Sequence, residues 1–207
     1  QEKERMIHLN VHNFINNYEV ERLEHVIHLD EDQVLGIPND NIHRHYPALT
    51  SQYHVYNWLQ NPAVASLNLP DRFFDMKVLQ PFDELYIQCW CNIVRKGEKL
   101  SKHVHAGIKG HNKFFGANLF ITGNTKPGTW YEGIGTVENT PGTLTFFDCK
   151  FPHAVPVNKG DIPRVSMAFD IWYEKPLGYE EPRWLTFKRE ELITDPMGRC
   201  WPDWPPG

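Results

Sequence analysis

Residues 84–94, ELYIQCWCNIV, decide how the chain folds. Their odd positions, Leu85, Ile87, Cys89, Cys91 and Ile93, are apolar, and the even ones include Tyr86, Gln88, Trp90 and Asn92. Successive side chains of a strand point to opposite faces. One face therefore feeds a core, while the other presents large groups with hydrogen-bonding ends. A second stretch, 164–172 (RVSMAFDIW), reads the same way: Val165, Met167, Phe169 and Ile171 share one face, and Arg164, Ser166, Ala168 and Asp170 the other. A mixed face of this kind suits the lining of a small-molecule pocket inside a β-barrel.

From about residue 73 onward the same texture recurs in short runs broken by Gly, Pro and Asn: FFDMKVL, FGANLFIT, TWYEG, GTLTFFD and HAVPV. Short strands at this rhythm predict an all-β sandwich or barrel. Before them, residues 11–29 have helical spacing, with Phe14, Ile15, Tyr18, Leu23, Val26 and Ile27 on one stripe. A second short helix is expected around 52–60, ahead of Pro62. The expected organisation is one domain over 1–207: a helical N-terminal region to about 72, a β core over 73–173, and a tail from Glu174. That tail holds six prolines and three tryptophans. It is too aromatic for a free linker and is expected to pack against the body or against a second copy, as in a homodimer.

Gross composition narrows the function classes. The 207 residues suffice for one good core, and 41% hydrophobic with 23% charged is ordinary for a globular chain. A net charge of −5 argues against a general nucleic-acid binder. Arg95, Lys96, Lys99, Lys102, Lys109 and Lys113 form a local basic stretch, read first as solvated loop and second as a rim attracting anions. No apolar run approaches the ~18 to 20 residues that cross a bilayer, so no membrane partner is expected. The start, QEKERMIHLN, lacks the apolar stretch of a signal peptide. Cys89, Cys91, Cys149 and Cys200 fit neither a zinc ribbon nor a disulfide framework, and are expected to be reduced thiols of a cytoplasmic protein.

The chemistry lies in the histidines. His103 and His105 are two apart, so an extended segment projects both imidazoles to one side, where they can clamp a metal. His153 follows 48 residues later at the start of another run, and an antiparallel barrel can lay the two segments side by side. Arg164 comes eleven residues beyond, with Ser166 on the same face. A guanidinium grips a carboxylate with two parallel hydrogen bonds, and a hydroxyl adds a third. Three imidazoles and a carboxylate clamp describe a site for an acid that chelates a metal. Other histidines read as bland: His43 and His45 as loop, His25 and His28 as solvated helix residues.

In order and spacing, three blocks resemble a known family: WCNIVRKGEKLSKHVH (90–105), FGANLFI (115–121) and PGTLTFFDCKFPHAVPVNKGDIPRVSMAFD (141–170). They resemble the bacterial and phage 2-oxoglutarate–iron(II) dioxygenases of the prolyl-hydroxylase-like type, over about Leu85 to Trp172. The resemblance implies a double-stranded β-helix, a cupin-like jelly roll, with the N-terminal helices packed on one sheet. It implies that His103, His105 and His153 hold Fe(II), and that Arg164 and Ser166 receive the far carboxylate of 2-oxoglutarate. Asn92 and Trp90 would line the cosubstrate pocket. It further implies an O2-dependent hydroxylation of a small-molecule or peptidyl substrate, with release of succinate and CO2.

Two features depart from the family. The glycine-led strand usually carries tyrosines, where this chain has Asn118, Leu119 and Phe120. The stretch after His105 is longer than usual, and Lys109, His111 and Lys113 make it a candidate lid or substrate selector, with Asn118 a candidate substrate contact. His105 also stands where the wider superfamily has a carboxylate, which leaves the site more positive. Asp148 and Asp170 are the candidate acids to compensate. Two other classes stay open: a three-histidine cupin dioxygenase that does not use 2-oxoglutarate, and a non-catalytic metal-binding barrel.

Overall fold

The computed structural model describes residues 7–42, 44–105, 113–122, 127–178 and 183–189. Two antiparallel sheets face each other. The larger is built from β1 (His8–Val11), β2 (Glu84–Val94), β4 (Phe114–Phe120), β7 (Leu144–Asp148), β9 (Arg164–Trp172) and β10 (Leu185–Lys188). Their order is β1-β7-β4-β9-β2-β10. The smaller has β3 (Leu100–His103), β5 (Thr129–Tyr131), β6 (Gly135–Val137) and β8 (His153–Val155), ordered β3-β8-β5-β6. This is the jelly roll expected from the sequence. The larger sheet draws its two edge strands from residues 8–11 and 185–188, outside the central β run.

The alternation in β2 and β9 sorts as read. Leu85, Ile87, Cys89, Cys91 and Ile93 are all essentially inaccessible and pack with Val165, Met167, Phe169 and Ile171 in one core. Burial pushes the Cys89 and Cys91 thiols well above their ordinary range, so they stay protonated and inert. The N-terminal helices cover this face. Phe73 meets Phe169 edge-on with centroids 5.0 Å apart.

Helix α1 runs Asn17–Leu35, later than the 11–29 stripe suggested. Asn16 accepts from the Glu19 amide and the Glu19 carboxylate reaches back to the Asn16 amide, a capping box that fixes the start. The buried face is Val20, Leu23, Ile27, Glu31 and Val34. Phe14 and Ile15 are buried ahead of the helix, whereas Tyr18 is 73% exposed and does not belong to the stripe. Glu31 is tolerated because Arg95 grips both its oxygens, at 2.9 and 2.8 Å.

Two other expectations need correction. Residues 52–60 do not form one helix. Two 3-10 turns, Thr50–Gln52 and Trp58–Gln60, are followed by the short helix α2, Pro62–Ala65. Asn57 breaks the run: it is extended, caps the Leu59 amide, and donates to the Ile87 carbonyl at 2.8 Å. The stretch FFDMKVL is likewise not a strand, since Phe73 and Phe74 close helix α3, Leu69–Asp75. Pro70 in its first turn favours the helix, and adjacent buried phenylalanines fit a helix packed on a sheet better than a strand with one buried face.

Candidate metal centre and its pocket

His103 ends β3, His153 begins β8, and the two are direct register partners across the smaller sheet. His105 lies two residues past β3, held by its amide donating to the Cys149 carbonyl at 2.8 Å. Ring centroids are 4.3 Å apart for His103–His153, 4.9 Å for His105–His153 and 5.6 Å for His103–His105. The ligand atoms of the three all lie within 4.8 Å of one another.

Hydrogen bonds fix which nitrogen faces inward. Nδ1 of His103 lies 2.7 Å from the Ser101 carbonyl, and Nδ1 of His153 lies 2.9 Å from the Phe151 carbonyl. Carbonyl oxygens only accept, so both Nδ1 atoms carry the proton. Nδ1 of His105 donates to Oδ1 of Asp170 at 2.6 Å. Each ring is thereby left with an Nε2 lone pair, the arrangement that metal-binding histidines need. Burial lowers the pKa of His103 and lowers that of His153 further, and the neighbouring imidazoles add to both shifts. Neutral rings are the ligating form. Of the two candidate acids, Asp170 reaches the site; Asp148 instead accepts from the Ile7 amide.

The inner face of the larger sheet forms the floor of one pocket. Along β9 come Arg164, Ser166, Ala168, Asp170 and Trp172; beside them β2 supplies Asn92, Trp90 and Gln88, and β4 supplies Asn118 and Phe114. Arg164 is 2% exposed. Its Nη2 donates to the Thr129 hydroxyl at 2.7 Å and its Nη1 to the Ser166 hydroxyl at 3.3 Å. Nε is buried without a hydrogen-bond partner, and no carboxylate pairs with Arg164, among the described residues. Burial pushes its pKa down to about 10, so at neutral pH it remains a cation. Asn92 donates to Ser166 at 3.3 Å and accepts from Thr50 at 2.8 Å. Trp90 sits 5.5 Å from the His105 ring.

The remaining expected residues divide. Asn118 lies on the pocket floor and donates to the Tyr131 hydroxyl at 3.0 Å. Lys113 is exposed, pairs with Glu174 and does not line the pocket. Lys109 and His111 fall outside the described residues, as do Cys200, Trp201 and Trp204 of the tail. His25, His28 and His45 are exposed. The basic stretch is largely compensated: Arg95 pairs with Glu31, Lys96 with Asp161, Lys102 with Glu132. Sequence reasoning missed Thr129 and Tyr131. Both sit on one face of TWY, two residues apart, which is the signal that would have found them. Arg183, ahead of β10, was missed too and carries no motif.

No protein-family model matches the sequence, and no curated protein matches it. Solved structures do resemble the fold. A Pseudomonas putida prolyl-4-hydroxylase aligns over 81% of this chain and 88% of its own, with TM-score 0.54 and 15% identity. The non-haem alpha-ketoglutarate-dependent carbocyclase SnoK from nogalamycin biosynthesis aligns over 86% and 91%, with TM-score 0.61 and 11% identity. The epimerase SnoN, solved with Fe3+, alpha-ketoglutarate and a nogalamycin compound, aligns over 96% and 89%, with TM-score 0.60 and 12% identity. The chain thus has the jelly-roll fold of 2-oxoglutarate–iron(II) oxygenases.

Proposed function

We propose that the protein is an Fe(II)- and 2-oxoglutarate-dependent dioxygenase that uses O2 to oxidise a small-molecule or peptidyl substrate, releasing succinate and CO2. One observation carries this reading: Arg164, a fully buried guanidinium with an open Nε and no acid partner among the described residues, lies in the same pocket as three inward-facing imidazoles. A buried cation without a counter-ion is costly unless a ligand supplies the charge. The donor set fits the groups. Imidazole nitrogens suit a divalent first-row metal, and the Arg164–Ser166–Thr129 cluster suits a carboxylate.

His103, His105 and His153 would hold the iron through Nε2. Arg164, with Ser166 and Thr129 as polar support, would receive the far carboxylate of 2-oxoglutarate, and Asn92 keeps Ser166 in place. When bound, iron and cosubstrate supply the oxidative decarboxylation and the oxidising power to attack a C–H bond; the chain supplies position, dryness and charge. The similar folds include a carbocyclase and an epimerase as well as a prolyl hydroxylase, so hydroxylation is one outcome that this scaffold carries among several. A cupin dioxygenase without an acid cosubstrate would have no use for Arg164, which places that alternative second.

The test is binding followed by turnover. With Fe(II), the protein is expected to form succinate from 2-oxoglutarate, slowly without substrate, and Arg164→Ala is expected to lose this at ordinary cosubstrate levels. Tight metal binding with no 2-oxoglutarate affinity would sink the reading in favour of the cupin alternative.

A further inference from the structure

Four side chains join into one hydrogen-bonded line that ends at the carboxylate clamp. The Thr50 hydroxyl donates to Oδ1 of Asn92 at 2.8 Å, and Nδ2 of Asn92 donates to the Ser166 hydroxyl oxygen at 3.3 Å. Nη1 of Arg164 donates to that same oxygen, also at 3.3 Å. All four residues are buried and line the pocket. A hydroxyl has two acceptor sites and one proton. Asn92 and Arg164 occupy both acceptor sites of Ser166, so its proton is left for a ligand in the pocket. In the reverse order, Ser166 would donate to Asn92 and Asn92 to Thr50, and a ligand would meet a lone pair instead. Thr50 gives its proton to Asn92 and its side chain makes no other hydrogen bond among the described residues, which favours the first order. Thr50 is also rigidly placed. Its 3-10 turn is pinned to the end of α1, where Nε2 of Gln52 donates to the Val34 and Ile37 carbonyls at 2.9 and 3.0 Å, and Asn39 donates to the Ser51 carbonyl at 2.9 Å.

We propose that Thr50 is a positioning residue for the cosubstrate: by holding the Asn92 amide it turns the Ser166 proton toward the far carboxylate, and so sharpens the preference for a keto acid with a second carboxylate over one with an apolar end. The proposal rests on the dioxygenase reading. A carboxylate accepts hydrogen bonds and gives none, so a donor fixed in direction before binding strengthens the contact, and a lone pair in its place weakens it. Arg164 supplies its charge in either order; the Ser166 proton is the part that Thr50 controls. The helical N-terminal region thereby takes part in cosubstrate choice, through a residue 42 positions ahead of Asn92.

The test uses the full chain loaded with Co(II), whose visible spectrum reports chelation by a keto acid. 2-Oxoglutarate is titrated beside 2-oxopentanoate, which has the same keto acid and a methyl group in place of the far carboxylate. Thr50→Val, which keeps the shape and removes the hydroxyl, is expected to weaken 2-oxoglutarate about five- to tenfold and to leave 2-oxopentanoate within about twofold. Thr50→Ser, which returns the hydroxyl, is expected to restore 2-oxoglutarate to within about twofold of the parent. Ser166→Ala is expected to show the same selective loss, and Thr50→Val combined with it to lose no more than Ser166→Ala alone, because Thr50 acts through Ser166. Thr50→Ala reads the same link where Thr50→Val does not fold. Equal weakening of both keto acids, no weakening of 2-oxoglutarate, no rescue by serine, or losses that add in the double variant overturns the proposal. Failure of the dioxygenase reading is seen separately, in the parent chain, as no binding of 2-oxoglutarate or no preference for it over 2-oxopentanoate, and takes the proposal with it.

Discussion

Oδ1 of Asp170 lies 2.6 Å from Nδ1 of His105, and both groups are largely removed from solvent. In the proposed iron site His105 would stand where the wider superfamily has a carboxylate ligand, and Asp170 would return a negative charge to the site through the imidazole. The bond also fixes the tautomer and the ring plane. Carboxylates behind a ligating histidine of this kind are worth about 10- to 100-fold in metal affinity.

Asp170→Asn is therefore expected to weaken Co(II) binding by about tenfold, and Asp170→Leu by up to about 100-fold, with the fold intact. Competition against a chelator, read by the visible spectrum of Co(II), measures it. Equal affinity in all three proteins would show that Asp170 only fills space.

Arg164 stands against stability in the ligand-free chain. Replacement by Met removes a buried cation and keeps similar volume, Ser166 keeps its bond from Asn92, and only the Thr129 hydroxyl loses its donor. Arg164→Met is expected to stabilise the apoprotein by about 1–3 kcal/mol, or roughly 2–10 °C in melting temperature for a chain of this size. The same variant should show no thermal shift with 2-oxoglutarate, whereas the parent protein gains one. A lowered melting temperature would make Arg164 a structural residue, held by Thr129 and Ser166 for the fold.

The sequence alone made the strands legible where one face is buried and the other is not. Alternation in 84–94 and 164–172 separated the main core face from the face that carries the pocket, and with it the positions of Trp90, Asn92, Arg164 and Ser166; Tyr86 and Val94 share that second face but pack in smaller core clusters. The spacing of His103, His105 and His153 pointed to a common site because strand partners meet in register. Reading failed where local chemistry overrode pattern. Asn57 and Asn61 use their side chains to cap separate turns, which a periodicity count over 52–60 does not register. Phe73 and Phe74 look like strand residues until Pro70 is weighed. Arg183 was invisible because its place in the pocket depends on Asn57, 126 positions away.

Acid should destabilise the metal-free protein through its histidines. Burial holds the pKa values of His103 and His153 below 6.5, so the folded state keeps both rings neutral in a range where the unfolded chain takes up protons. Their contribution is complete above pH 6.5. It is lost as pH falls from 6.5 toward the folded values, at up to roughly 1.4 kcal/mol per pH unit for each group. Urea midpoints of chelated protein between pH 7 and 5 are expected to fall, and His153→Gln to flatten the slope. A midpoint independent of pH would mean that the rings take up protons as readily in the fold as in the unfolded chain.

Gly116 explains why a glycine leads β4. It pairs with Asp170 on one side and Phe147 on the other, and its missing side chain faces the site. A Cβ there would stand 2.5 Å from Cε2 of Phe147 and 3.2 Å from Nδ1 of His105. The Phe147 ring is fully buried and packs against His105, His153 and Tyr131, so it cannot retreat without moving the metal site. Gly116→Ala is expected to cost about 1–3 kcal/mol, the usual range for overpacking. It should also disturb the His105–Asp170 bond, because the new methyl group would crowd Nδ1 of His105, the atom that donates to Asp170. Metal affinity is therefore expected to drop together with stability. Urea denaturation and Co(II) titration of the same sample measure the two losses. A stability loss with unchanged metal affinity would show that Phe147 yields away from His105, and that Gly116 serves packing alone.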